Sequence, residues 1–228
     1  MTNDHLLDFS FVLAASVHDM KNSLGMLLNS LEEVMGLPAL QQPEQRKHVS
    51  TLQYEASRIN SELIQLLTIY RLNQQNLPVN IDEHYISDTF EDQLARNDML
   101  FVAQSIEVTV DCDGDLAWFY DAELMGNVIH NVVINAVRYA QQRICLSAEV
   151  ENDDLVIKIE DDGNGFPQFM LDEYPLDCPG KPDANSTQLG LFFASRIAHF
   201  HRQGDKVGHI ALSNGGTLGG GVFRIYLP

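Results

Sequence analysis

Asn127-Val128-Ile129-His130-Asn131-Val132-Val133-Ile134-Asn135-Ala136-Val137-Arg138-Tyr139 is the stretch on which the reading of this chain turns. It lies within a strongly helical segment, 121–140, and Asn127, Asn131 and Asn135 stand four residues apart. At that spacing they share one helix face. An amide oxygen is a hard, neutral ligand, suited to Mg²⁺ carrying a triphosphate. Arg138 adds a cation that can reach phosphate, and Tyr139 adds a ring that can pack near a base or sugar.

Working outward, the texture is mixed. Ile144 to Val150 and Leu155 to Ile159 alternate as strands, joined by the turn Glu151-Asn152-Asp153-Asp154. Directly behind the second strand comes Asp161-Asp162-Gly163-Asn164-Gly165-Phe166. Glycines let backbone approach a ligand closely. A carboxylate buried at a strand end can accept a hydrogen bond from an exocyclic amine. Residues 166–188, rich in Pro, Gly and polar side chains, read as a mobile loop in which Lys181 is a candidate phosphate contact. Ser186-Thr187-Gln188-Leu189-Gly190-Leu191 opens a helix running from Leu189 to His201, and helix N-termini favour phosphate. Two last strands flank the turn Gly215 to Gly221. Upstream, 83–103 reads as a helix and Ile106 to Val110 as a strand. Strands and helices in this mixture imply an α/β sandwich over 76–228.

The first 75 residues have another period. Apolar residues recur in heptads along Leu6, Leu13, Met20, Leu27 and Val34, with a second row at Ser10, Val17, Leu24 and Leu31. Gly36-Leu37-Pro38 stops that helix. A second seam runs through Val49, Leu52, Ala56, Ile59, Leu63, Leu66 and Tyr70. Two long helices joined by a short loop make an antiparallel hairpin, and one hairpin cannot cover both seams. The expectation is a homodimer whose two hairpins form a four-helix bundle. The fold class is thus α+β, with domains at 1–75 and 76–228.

Inside the first helix lies His18-Asp19-Met20-Lys21-Asn22. His18 and Asn22 are four apart, Asp19 and Asn22 three apart, so they are neighbours on a helix. The acidic neighbour can fix the imidazole tautomer and leave the other ring nitrogen free to attack. A pKa near 6.5 leaves much of a histidine neutral at pH 7.

Bulk properties narrow the classes. The chain has 228 residues, 45% of them apolar, enough for a real core. A net charge of −18 excludes nonspecific nucleic-acid binding, and any anionic ligand must be met by a metal, backbone N–H groups or a few placed cations. Cys112, Cys145 and Cys178 are widely spaced, which suits a reducing compartment and neither a disulfide framework nor a zinc site. The N-terminus lacks the basic start of a signal peptide, and no apolar stretch approaches the ~20 residues of a membrane span. The expectation is a cytoplasmic protein without membrane insertion.

These motifs, in this order, resemble the two-component sensor histidine kinases over nearly the whole chain. His18-Asp19-Met20-Lys21-Asn22 looks like the phosphoacceptor box, Asn127 to Tyr139 the Asn box, and Asp161 to Phe166 and Ser186 to Leu191 the two glycine boxes. The resemblance implies a dimerisation and phosphotransfer hairpin followed by an ATP-binding sandwich of the histidine-kinase/Hsp90/gyrase type. It implies that His18 is phosphorylated, Asp19 is the general base and Asn22 is the amide that positions water to dephosphorylate the partner. It further implies Mg²⁺ on Asn135 and nucleotide contacts at Asn131, Arg138, Tyr139, Asp161, Gly163, Gly165, Thr187, Leu189 and Gly190. The cofactors would be ATP and Mg²⁺, and the partner a response-regulator receiver domain that takes the phosphoryl group on an aspartate. The chain departs from the pattern at Ser23, where relatives often carry Pro, at Asp162, where Asn is usual, and at Ser186 and Gln188, which replace glycines. With the first helix starting so near residue 1, input is expected from a separate sensor protein. The alternative is a weakly active or inactive scaffold that sequesters or dephosphorylates a regulator.

Overall fold

The structure, a computed structural model, describes residues 79–173 and 186–228. Before them it describes residues 20, 24–28, 30, 34, 52, 56, 59–60 and 62–68; at 172–173 and 186–189 it describes the backbone course alone. The chain forms two compact units, Met1–Leu77 and Pro78–Pro228.

In the first unit every described residue is helical. Met20, Leu27 and Val34, and likewise Leu52, Ile59 and Leu66, are exposed, whereas Ala56 and Leu67 are buried. The exposed residues recur every seven positions.

The second unit is an α+β sandwich. Its elements are β1 (Asp82–Tyr85), α1 (Ile86–Gln104), β2 (Glu107–Cys112), β3 (Ala117–Tyr120), α2 (Ala122–Tyr139), β4 (Arg143–Glu151) and β5 (Asp154–Asp161). Then follow α3 (Gln168–Glu173), α4 (Ser186–Phe200), β6 (Arg202–Gln203), β7 (Lys206–Val207), β8 (His209–Asn214) and β9 (Gly221–Leu227). Five strands form the main sheet in the order β2-β4-β5-β9-β8. Only β2 and β4 pair in parallel; the other neighbours are antiparallel.

Alternation along the strands decides which face is covered. Leu146, Ile159, Phe223 and Leu212 lie in one cross-strand row, with Ala148, Ile157, Ile225 and Ile210 in the next. Ile157, Ile159, Phe223 and Ile225 are at most 2% exposed, so this face is the core. Met125, Val128, Ile129 and Val133 of α2 and Phe193, Ala194 and Ile197 of α4 are equally buried. Each such side chain except Ala194 contributes roughly 1.5–3 kcal/mol by leaving water. The opposite face carries Lys158, paired with Glu149 at 3.5 Å and Glu160 at 3.9 Å, and Arg224, which donates to Ser213 at 2.7 Å.

The turn between β4 and β5 uses Asn152 and Asp153 at φ 52° and 65°. Two consecutive left-handed residues match the twist of a tight hairpin, and Asn and Asp tolerate that region. The sequence expectation for this hairpin holds. So do the helix over 121–140 and the last two strands. The helix expected over 83–103 begins at Ile86, because Asp82–Tyr85 pairs instead with Ala117–Tyr120. The 166–188 segment contains the short helix α3, and α4 begins at Ser186, three residues before the Leu189 start expected.

Candidate functional site

The site is built from α2, the β5 end, the glycine turn behind it and the start of β9. Helix α2 starts on Asp121, whose carboxylate accepts from the Leu124 N–H at 2.9 Å. Most of its apolar residues are buried, with Asn127, Asn131, Asn135 and Arg138 on the half-exposed side. An acidic residue in the first turn (Glu123) and a basic one in the last (Arg138) both suit the helix dipole.

Asp161 closes β5. It is 9% exposed, and its Oδ1 accepts from Gly163 N–H at 2.8 Å and Gly221 N–H at 3.2 Å. Among the described residues Oδ2 accepts nothing. Burial pushes this carboxyl up, the two backbone N–H groups push it down, and the Asp162 charge adds to the rise; the balance lies above its ordinary value. A carboxylate braced through one oxygen presents the other to an incoming donor.

Glycine is required around it. A Cβ on Gly163 would collide with the Tyr139 carbonyl, and one on Gly221 would sit 2.7 Å from Asp161 Oδ2. Gly165 takes φ 76°, and a Cβ there would meet Asn214 at 2.6 Å. Asn214 holds this turn from β8: its Oδ1 accepts from Phe166 N–H at 2.6 Å and its Nδ2 donates to the Phe166 carbonyl at 2.8 Å.

Asp162 has a different role from its neighbour. Its Oδ1 accepts from the N–H groups of Gln141, Gln142 and Arg143 at 2.8–3.0 Å. Desolvation opposes the charge, but these bonds and the Arg143 guanidinium hold the carboxyl below its ordinary range. The departure from the usual Asn therefore serves the turn after α2.

These parts enclose a cavity of about 450 Å³. Asn135, Arg138, Tyr139, Asp161 and Gly165 line it, so five of the expected contacts meet there. Gly163 stands behind the wall against Tyr139. Asn131 lies off the lining, with its amide against Gly190, so close that a Cβ on Gly190 would collide with it. Thr187 and Leu189 lie in the first turn of α4. His18, Asp19, Asn22 and Lys181 lie outside the described residues. Sequence reasoning missed Phe169 and Met170 of α3, Gly221 and Phe223 of β9, and Asn214. Only Gly221 and Phe223 carried a local signal, at the edge of the last glycine turn.

The walls are apolar: Val132, Ala136, Ile159, Met170, Leu191 and Phe223. Tyr139 and Phe169 expose their rings at the edge, at 53% and 54%. An apolar slot with one carboxylate at its base suits a flat heterocycle bearing an amine. Among the described residues no group of three His, Cys, Asp or Glu could cage a metal. The amide of Asn135 instead suits Mg²⁺ that arrives already held by phosphate oxygens.

The comparisons agree with this geometry. Residues 120–228 match the family of histidine kinase-, DNA gyrase B-, and HSP90-like ATPases. Sensor protein SrrB of Staphylococcus aureus (strain N315) is 23% identical over 211 residues, covering 88% of this chain and 36% of the relative. The chain thus spans about a third of the length of the curated relatives it matches. Acinetobacter baumannii histidine kinase AdeS has a TM-score of 0.61 at 19% identity, over 90% of this chain and 95% of its own. The catalytic domain of histidine kinase ThkA gives 0.54 at 17% identity, over 65% and 96%. Full-length ShkA, solved in complex with AMPPNP, gives 0.63 at 18% identity, over 95% and 45%.

Residues 120–228 are therefore an ATPase domain of the histidine kinase, gyrase B and HSP90 type. Along most of its length the chain is similar to sensor histidine kinases such as SrrB. Among the described residues no helix is long and apolar enough to cross a membrane.

Proposed function

We propose that the chain is an ATP-dependent protein-histidine kinase of a two-component system, which phosphorylates its own His18 and passes the phosphoryl group to a response-regulator aspartate. The observation that carries this is the convergence of Asn135, Arg138, Tyr139, Asp161 and Gly165 on one apolar cavity. Bound Mg²⁺-ATP supplies the phosphoryl group and neutralises its developing charge. Asp161 accepts the amine of the base. Asn135 holds the metal, Arg138 meets phosphate, and Tyr139 and Phe169 flank the base. Lys181 and the first turn of α4, through Thr187, Leu189 and Gly190, complete the phosphate side. On the hairpin Asp19 orients the imidazole of His18, and Asn22 places the water that hydrolyses the phosphoryl group from the partner regulator's aspartate.

Residues 1–75 act as the dimerisation and phosphotransfer hairpin, and 76–228 as the catalytic domain. The six exposed apolar positions at heptad spacing support a homodimeric bundle, since they are 38–58% exposed in a single chain. The protein works in the cytoplasm and takes its input from a separate sensor protein. Incubation with Mg²⁺ and γ-labelled ATP tests the reading. The expected product is protein-bound label that acid releases, as phosphohistidine does; acid-stable label, or none, contradicts it. A scaffold without catalysis, favoured by Ser186 and Gln188 in the second glycine box, would bind regulator without acquiring label.

A further inference from the structure

Asp121 stands where β3 hands over to α2, and it is 6% exposed. Its two carboxylate oxygens and its N–H each bond a different part of the second unit. Oδ1 accepts from Leu124 N–H at 2.9 Å and caps α2. Oδ2 accepts from the backbone N–H of Asn80 at 2.8 Å, 41 residues earlier in the chain. Its own N–H donates to Nε2 of His201 at 3.1 Å. His201, 2% exposed, sits just past α4 and donates from Nδ1 to the Ile197 carbonyl at 2.9 Å. A carbonyl can only accept and a backbone N–H only donate, so this imidazole is the neutral tautomer with its proton on Nδ1.

A helix cap needs one oxygen. The other oxygen holds the chain two residues past the boundary between the units at Leu77 and Pro78. Helix α2 carries Asn131 and Asn135, and α4 carries Gly190 and Leu191. One buried residue thus ties the entering chain to both helices of the nucleotide wall. A carboxylate suits this place because two donors, Asn80 N–H and Leu124 N–H, need two oxygens; an amide has one.

We propose that Asp121 is a positioning residue for phosphoryl transfer: it registers the chain arriving from the hairpin against the helices that hold the nucleotide. The proposal rests on the kinase reading above. Transfer is sensitive to placement on the ångström scale, whereas nucleotide binding needs only the cavity. The bond to Asn80 therefore bears on the rate at His18 and not on nucleotide affinity.

Two substitutions in the full chain remove the bond from opposite ends. Asp121→Asn keeps an N-cap of equal quality but leaves one oxygen for two donors. Asn80→Pro deletes the donor and leaves Asp121 intact. Three readouts are taken on both single variants and the double: ADP affinity, the rate of label entering His18 from γ-labelled ATP, and hydrogen exchange at residue 80 in the chains that keep its amide. The expected result is ADP affinity within twofold of wild type throughout, with a labelling rate at least fivefold lower in each single variant. The double should be no slower than the slower single, because both changes remove the same contact. Asn80 N–H should exchange at least tenfold faster in Asp121→Asn.

Unchanged labelling in both singles overturns the proposal. So do rate losses that multiply in the double, or a fall in ADP affinity that matches the fall in rate, the mark of a merely structural residue. An unprotected Asn80 amide in a wild type that does label His18 overturns it alone. A wild type that binds ADP and protects Asn80 yet never labels His18 overturns the kinase reading, and this proposal falls with it.

Discussion

The described residues of the two units differ in how their exposed apolar side chains are arranged: at heptad spacing in the first, around a covered sheet face in the second. The second unit covers the inner face of its sheet: Val128, Ile157, Ile197 and Ile225 are at most 1% exposed, while Met99, Val102 and Phe119 stay 60–82% exposed on its outer surfaces. Among the described residues of the first unit, Met20, Leu27, Val34, Leu52, Ile59 and Leu66 are exposed. A unit that satisfies itself can hold a rigid, shaped cavity. An uncovered apolar stripe at heptad spacing fits the dimeric bundle proposed above. The contrast predicts that substitutions in the second unit act on its own stability or ligand, and that substitutions on the exposed heptad rows act on the proposed assembly.

The largest expected effect is in the self-sufficient core. Ile157→Ala, at 1% exposure, should cost about 3 kcal/mol of catalytic-unit stability, read as a lowered denaturation midpoint. Asp161→Asn comes next. It keeps the shape but removes the charged acceptor, and should weaken ADP binding by about 2 kcal/mol, some 30-fold, in titration calorimetry with the fold intact. Retained affinity would mean that the cavity reads its ligand by shape alone.

Acid should act on the catalytic unit in the same direction. His130 lies between α2 and α1, where Asn97 donates to its Nδ1 at 3.1 Å. Burial, aided by the Arg96 charge, lowers its pKa to about 4 from an ordinary 6.5. The unfolded chain therefore binds the proton first. The stabilisation is complete above pH 6.5 and is lost as pH falls from there to about 4. Roughly 2 kcal/mol should disappear between pH 7 and pH 5, with His201 adding to the same trend, since burial lowers it too. Denaturation curves at the two pH values check this, and His130→Gln should flatten the difference.

The smallest effect on the catalytic unit should come from the hairpin. Ile59→Ser, at 43% exposure, should move the melting of the catalytic unit by less than about 0.5 kcal/mol. In light scattering it should shift the chain from dimer toward monomer. A dimer of unchanged affinity would show that the exposed heptad rows are not the interface.

How much of this was legible in the sequence follows from the range of the interactions. The β4–β5 hairpin was, because alternation and Asn152-Asp153 are local signals. Helix α2 was, because its amides and apolar residues repeat at helical spacing. The pair β1–β3 was not: Asp82-Glu83-His84-Tyr85 is polar, and its partner lies some 35 residues away, at Ala117–Tyr120. In the site, Asn135 and Asp161 could be read because their residue type carries the chemistry. Asn214 could not, since its amide matters only because the fold sets it against both backbone groups of Phe166. Asp162 stood out in the sequence only as a departure from the usual Asn, and only the tertiary structure reveals that it holds the backbone of 141–143.

The most direct test of the account compares wild type with His18→Gln in the presence of Mg²⁺ and γ-labelled ATP. The account predicts acid-labile label on the wild type, none on His18→Gln, and equal ADP affinity for both. Label that persists on His18→Gln would contradict it.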